Sequence, residues 1–162
     1  MTMAAILPAS AALRDAAIGA PSFHGVLPWR ETRRSGLKIL LVSPRDEERW
    51  TVPAGPPARD RAPFMSAALH AFEEAGIIGE IDTLPLDDYP CTNSAGDGDA
   101  PERRVRLFAM KVRGTLSQWK RQDERRRRWF SPQEAAERAG NAALCEPIRI
   151  LTERWRPASV AP

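Results

Sequence analysis

The sequence has no long hydrophobic run and very little cysteine. No stretch approaches the roughly 18 apolar residues of a membrane-spanning helix, which excludes a membrane span of that kind. Its two cysteines, Cys91 and Cys145, lack the CxxC or histidine spacing of a metal site, so we expect two free thiols in a reducing cytoplasm. The N-terminus has no basic segment ahead of its short apolar run, and Pro8 interrupts that run, which argues against a signal peptide.

The overall composition is that of a soluble globular protein. The chain has 162 residues, of which 43% are hydrophobic and 28% charged, enough for one domain with a sizeable core. We see no internal repeat. We expect a loose leader over residues 1–22, a single domain over 23–155 and a short tail over 156–162.

Positive charge is unevenly placed, although the net charge is only +3. Arginine binds phosphate through two donors at once, so the clusters are candidate anion sites. We select Arg30, Arg34 and Arg104 as the phosphate-binding candidates. The unbroken run at 125–128 is expected to be a solvated surface. With no interleaved aromatic residue and so small a net charge, the sequence does not favour nucleic-acid binding.

Hydrophobic periodicity predicts strands that alternate with a few helices. The run LKILLVS at 37–43 is typical of a strand buried on both faces. A helix is predicted over 63–75, with Pro63 in its first turn and Gly76 as its stop. Further strands are predicted at 26–30, 50–53, 105–112 and 128–130 and within 79–89, a turn-rich loop at 92–101, and helices from Ser131 to Arg138 and over 141–155. This order predicts an α/β sandwich with a mixed sheet.

The central helix carries chemistry as well as packing surface. Its small apolar residues are spaced to pack against a sheet: Phe64, Ala67, Ala68, Ala71, Phe72 and Ala75. His70, Glu73 and Glu74 share the other side, at i, i+3 and i+4. Two carboxylates and an imidazole on one face could hold a divalent cation. Taken alone, this pattern is more common on a helix whose acidic residues are simply solvated.

The segment from Gly55 to Ile77 resembles the Nudix box. In that box a glycine precedes a glutamate, an Arg-Glu pair, a Glu-Glu pair and a second glycine. With Gly55 as the first glycine, Glu73 and Glu74 fall on the Glu-Glu pair, Gly76 on the second glycine and Ile77 on the final aliphatic position. The strands before the box and the later segment WFSPQEAAER resemble the corresponding segments of the same family. The likeness covers about 23–155 and is nearest to the branch of diphosphoinositol polyphosphate phosphohydrolases and their bacterial relatives.

Three residues depart from the family pattern. Arg61 stands at the first glutamate, Leu69 at the arginine and His70 at the glutamate that follows it. The resemblance implies a divalent metal, Mg²⁺ or Mn²⁺, held by Glu73, Glu74, His70 and Gly55, with the two glutamates as catalytic residues. Since His70 replaces a carboxylate, the expected metal site is weakened and shifted toward softer ions.

Two functions follow from the resemblance. One is metal-dependent hydrolysis of a pyrophosphate bond in a nucleoside diphosphate derivative or a related polyphosphate. The other is an inactive Nudix-type domain that binds a phosphorylated ligand or a protein partner. The first would need its weakened metal site rescued by His70 or by acids outside the box, for which the candidates are Asp87, Asp88, Asp97, Asp99 and Glu102. Neither the substrate nor the oligomeric state can be read from the sequence.

Overall fold

The computed structural model describes residues 23–91 and 103–155, which form one mixed β-sheet with helices on both faces. The predicted leader, the loop at 92–101 and the tail lie outside the described residues. The strands are β1 (Phe23–Thr32), β2 (Gly36–Pro44), β3 (Ala54–Gly55), β4 (Ile77–Ile81), β5 (Asp87–Cys91), β6 (Arg103–Thr115) and β7 (Arg125–Phe130). The helices are α1 (Pro63–Ala75), α2 (Pro132–Arg138) and α3 (Cys145–Trp155), with a 3-10 turn at Ala142–Leu144. This architecture confirms the predicted fold class.

The sheet places the start of the Nudix-like segment beside its central strand, β1. Its order is β4-β6-β1-β2-β7, with β3 paired to β1 and β5 paired to β6. β1 and β6 run parallel, whereas the other paired strands are antiparallel. In β3, Gly55 lies opposite His24 of β1. The loop that leads into α1 therefore leaves directly from the middle of the sheet.

Both faces of the sheet are buried. Along β2, Ile39 and Leu41 pack into the core under α2 and α3, whereas Leu40 and Val42 pack into the core under α1. Successive side chains of a strand point to opposite faces, so a strand covered on both sides needs apolar residues at every position. This explains the continuous apolar run that the sequence shows there.

α1 packs on the sheet through a row of alanines. Ala67, Ala71 and Ala75 have no exposed surface, because residues four apart lie above one another on a helix. The prediction that Phe72 joins this contact is wrong, since Phe72 is 45% exposed. It follows Ala71 by one position and so points about 100° around the helix from the alanine row. Phe64 is partly buried beside the alanines.

The boundaries of several elements differ from the predictions. α1 and α2 begin and end as predicted, and a capping box at Ser131 starts α2. The short strand expected at 50–53 is displaced to Ala54–Gly55, and Trp50 and Thr51 make only isolated bridges. The region 79–89 contains parts of two strands, β4 and β5, which both pair with β6. Within the described residues, no helix is long and apolar enough to cross a membrane.

Candidate functional site

A pocket of about 260 Å³ opens beside the C-terminal end of α1. Its apolar part is formed by side chains such as Phe23, Val52 and Tyr89, and burial raises the pKa of Tyr89. Its charged part contains Glu74 and Arg125. The remaining lining residues are Val42, Ser43, Pro44, Glu47, Arg49, Thr51, Pro53, Ala54, Cys91 and Val105. The pocket thus combines an apolar slot with an ion pair, a combination suited to a ligand that has both an apolar and an anionic part.

The end of α1 is held by the loop between β6 and β7, residues 116–124. The Leu116 amide donates to the carbonyl of Gly76 at 2.7 Å, and the Arg121 amide donates to that of Glu73 at 3.1 Å. Trp119 Nε1 donates to the carbonyl of Glu74 at 3.1 Å. These donors satisfy carbonyls that have no partner inside the helix. The positions of Glu73 and Glu74 therefore depend on this loop.

Arg127 completes the same contact from β7. Its Nη1 donates to the carbonyl of Ala75 at 2.8 Å, and its Nη2 donates to that of Leu116 at 2.6 Å. The guanidinium carbon also lies 3.9 Å from the centre of the Trp119 ring. Burial lowers the pKa of Arg127 because desolvation disfavours its charge. Arg127 thus ties together three segments: α1, the 116–124 loop and β7.

Both carboxylates of the Glu-Glu pair have basic partners. Glu74 accepts from Arg121 Nη1 at 3.2 Å on one oxygen and from Arg125 Nε at 3.0 Å on the other. Its side chain is only 11% exposed. Glu73 accepts from Lys120 Nζ at 2.8 Å, and this hydrogen bond lowers the pKa of Glu73. Each carboxylate is therefore balanced by cations that the chain itself provides.

This arrangement does not fit a divalent cation. Both oxygens of Glu74 already accept hydrogen bonds from guanidinium groups, and Lys120 is bound to Glu73. In the described ranges, 23–91 and 103–155, no group of three or more His, Cys, Asp or Glu side chains could hold a metal ion. A cation could bind Glu73 and Glu74 only after these basic side chains had moved away.

His70 packs against Gly55 rather than joining the carboxylates. Its Nε2 lies 2.6 Å from the carbonyl of Pro56, so this nitrogen carries the proton and donates. A Cβ at Gly55 would overlap the imidazole ring, and only glycine permits this approach. Ser66 adds a second tie, since its Oγ accepts from the Ala58 amide at 2.9 Å. In this structure His70 connects the loop to the helix. The resemblance implies that in the family an ion pair between the arginine and the first glutamate makes this connection, at the positions that Leu69 and Arg61 occupy here.

The three arginines predicted to bind phosphate do not line the pocket. The Arg30 guanidinium lies 4.0 Å from the ring centre of Trp129, Arg34 is exposed in the turn between β1 and β2, and Arg104 lies 3.7 Å from Asp88. Their phosphate-binding role stays a prediction. Two of the acids proposed outside the box lie in β5. Asp88 forms an ion pair with Arg106 at 2.9 Å, and Asp87 Oδ1 accepts a hydrogen bond from the Asp88 amide. Asp97, Asp99 and Glu102 lie outside the described residues.

The arginine run at 125–128 was expected to be solvated, but each of its members has a partner. Arg125 and Arg127 point toward α1, whereas the guanidinium groups of Arg126 and Arg128 lie over Trp50 and Phe130. Alternation along a strand explains this division. The predicted strand covers only 128–130, whereas β7 begins at Arg125, so neither this alternation nor the partners on α1 were predicted from the sequence.

The chain is similar in sequence to two curated proteins that are named Nudix hydrolases. No protein-family model matches the chain. The chain is 29% identical to Nudix hydrolase 13, mitochondrial, of Arabidopsis thaliana over 126 residues, covering 72% of this chain and 62% of the relative. It is 30% identical to Nudix hydrolase 12, mitochondrial, of the same plant over 127 residues, covering 74% and 63%. The chain thus spans less than two thirds of the length of these curated relatives.

Solved structures share the fold. A Listeria monocytogenes protein described as a Nudix hydrolase aligns with a TM-score of 0.62 and 19% identity over 83% of this chain and 94% of that one. A binary complex of a C. elegans Ap4A hydrolase aligns with a TM-score of 0.58 and 16% identity, covering 82% and 96%. Together with the sequence likeness, this fold supports the resemblance to the Nudix hydrolase family.

Proposed function

We propose that this chain is a Nudix-type hydrolase that cleaves a pyrophosphate bond in a nucleoside diphosphate derivative or a related polyphosphate. The reaction would take place in the pocket beside Glu74. The observation that carries the proposal is the position of this pocket: it joins an apolar slot to the charged end of the helix that aligns with the Nudix box. The similarity to two Nudix hydrolases supports the same reaction class.

The pocket supports binding of a ligand with two chemically different ends. Phe23, Val52 and Tyr89 offer an apolar surface on which a base or another apolar group can be desolvated. Arg125 at the charged end can donate to phosphate oxygens, and Arg49 lines the same pocket. This arrangement would orient the diphosphate next to Glu74.

The metal is the part of the family pattern that this structure does not fit. A bound divalent cation would supply positive charge against the diphosphate. Glu73 and Glu74, the residues expected to hold it, are bound to Lys120, Arg121 and Arg125. The proposed reaction is therefore limited to what the chain's own residues do: bind the apolar group, orient the phosphates and place a carboxylate beside them.

A second candidate function is binding without turnover. It is favoured by the same ion pairs, because a carboxylate held by two guanidinium groups is poorly placed to bind a catalytic cation. The weakened box, the likeness to the diphosphoinositol phosphohydrolase branch and the cytoplasmic location remain predictions. The two plant relatives are named mitochondrial.

One experiment separates the two candidates. Nucleotide sugars, dinucleoside polyphosphates and inositol pyrophosphates are incubated with the protein in Mg²⁺, in Mn²⁺ or in chelator, and products are separated by chromatography. Hydrolysis is expected for at least one compound, and Glu74→Gln is expected to abolish it. Glu80→Gln is the matched control, since Glu80 is an exposed glutamate on β4. Binding of the panel without product formation under any condition would replace the hydrolase with the binding function.

A further inference from the structure

The charges of the ion-paired side chains around the end of α1 cancel one another without any bound ion, and the Arg127 guanidinium adds a further positive charge nearby. Three cationic side chains, Lys120, Arg121 and Arg125, meet three carboxylates, those of Glu73, Glu74 and Glu124. Three positive and three negative charges sum to zero. Adding a divalent cation to this cluster would leave two uncompensated positive charges in a partly buried place, which is electrostatically unfavourable.

Arg125 belongs both to this cluster and to the pocket. Its Nε donates to Glu74 Oε2, and its side chain lines the pocket together with Glu74. The bond to Glu74 uses one of the five N–H groups of the guanidinium. At 29% side-chain exposure, Arg125 is shielded from solvent but reachable from the pocket. Arg121 donates to the other oxygen of Glu74, Oε1, at 3.2 Å.

We infer that Arg125 is the phosphate-binding group of this pocket, that it binds phosphate without a divalent cation, and that Glu74 competes with the phosphate for its N–H groups. The inference rests on the proposed function only in requiring a phosphorylated ligand. A guanidinium offers two parallel donors to a phosphate, and a phosphate dianion carries more charge than one carboxylate. A ligand can therefore draw Arg125 from Glu74, while Arg121 continues to balance Glu74.

This competition predicts an effect of Glu74 opposite to that of a metal ligand. In Glu74→Gln the cluster has a net charge of +1, and Arg125 loses its charged competitor. Phosphate binding should then become tighter. A metal-bridged site would respond in the other direction. Removal of a metal-binding carboxylate weakens binding of the metal ion, and binding of the phosphate that the metal would hold weakens with it.

The test is calorimetric titration with ADP and with inorganic pyrophosphate, each in chelator and in Mg²⁺. The native chain is expected to bind ADP in chelator. Glu74→Gln should bind it about tenfold more tightly, and Arg125→Gln about tenfold more weakly, each about 1.4 kcal/mol. Arg125→Lys should fall between the native chain and Arg125→Gln, because it keeps the charge but loses the two-donor geometry. Arg128→Gln, in the same strand but over Phe130, is the matched control and should bind like the native chain.

Several results would overturn the inference. They are a strict Mg²⁺ requirement for ADP binding, weaker binding by a folded Glu74→Gln variant, native affinity in Arg125→Gln, or no binding of either probe at millimolar concentration. If Glu74→Gln does not fold, the Arg125 variants and the chelator titration decide. Metal-independent binding without hydrolysis of any substrate would contradict the proposed reaction and leave this inference standing. Hydrolysis together with strictly metal-dependent binding would do the reverse.

Discussion

At the scale of single residues, Gly55 and His70 show how a missing ion pair can be replaced. The sequence aligns Leu69 and Arg61 with the two partners that join loop and helix in the family. In the structure, His70 makes the corresponding connection by donating to the carbonyl of Pro56 across Gly55. The sequence identified these positions but not this role, because a histidine in place of a metal-binding carboxylate was interpreted as a ligand. The hydrogen bond depends on how the 56–62 loop folds back.

Gly55→Ala is therefore expected to destabilise the protein. The new methyl group would displace the His70 ring and break its hydrogen bond, at a cost of about 1–3 kcal/mol. The measurement is the free energy of unfolding in urea. Gly114→Ala is the control, because a Cβ there would lie 3.4 Å from Ile78, an ordinary contact. Equal stabilities of the two variants would show that the Gly55–His70 contact is not needed.

At the scale of elements, the ends of α1 were readable from the sequence, but the groups that hold them were not. Pro63 and Gly76 mark the two ends, and Gly76 adopts φ 62°, a conformation that favours glycine. The donors to the last carbonyls come from the 116–124 loop and from Arg127, far along the chain. Local sequence patterns contain no information on such distant partners. The basic side chains that pair with Glu73 and Glu74 could therefore not be predicted from the sequence.

Arg127→Gln tests this support. The variant leaves the carbonyls of Ala75 and Leu116 without their charged donor, whereas Gly76 keeps its bond from the Leu116 amide. Unpaired, partly buried carbonyls cost about 1–3 kcal/mol each. We expect a clear loss of stability and faster hydrogen exchange at the Leu116 and Arg121 amides. Arg128→Gln should stay within about 0.5 kcal/mol of the native chain, as is usual for exposed positions. A similar loss in both variants would refute a special role for Arg127.

At the scale of the whole molecule, the pocket is assembled from strands that are distant in sequence. Phe23 lies in β1, Cys91 in β5, Val105 in β6 and Arg125 in β7. The apolar patterns of β2 and β6 could be predicted separately, and so could the sandwich, whereas β3 was missed and β5 was not distinguished from β4. The pocket could not, because its shape depends on the pairing of β1 with β6 and of β5 with β6.

Cys91 reports on this pocket. Burial raises the pKa of its thiol above the ordinary value of 9.0, and the thiolate is the reactive form. Alkylation of Cys91 should therefore be slow at neutral pH and should accelerate as the pH rises above 9.0. At any one pH, ADP in the pocket should slow the alkylation, because Cys91 lines that pocket. Cys145 is exposed and serves as the internal control, with mass spectrometry following both sites. If ADP binds but leaves the Cys91 rate unchanged, the ligand lies elsewhere.

The parallel pairing of β1 with β6 also affects how the chain folds. Phe23 pairs with Val105, so the central strand obtains its second neighbour only after most of the domain has been synthesised. Until then the edge of β1 has unpaired backbone groups, and such open edges are where strands associate with other chains. Contacts this distant in sequence give a high contact order, for which folding is slow. The nascent chain is thus expected to need protection from aggregation until β6 has left the ribosome.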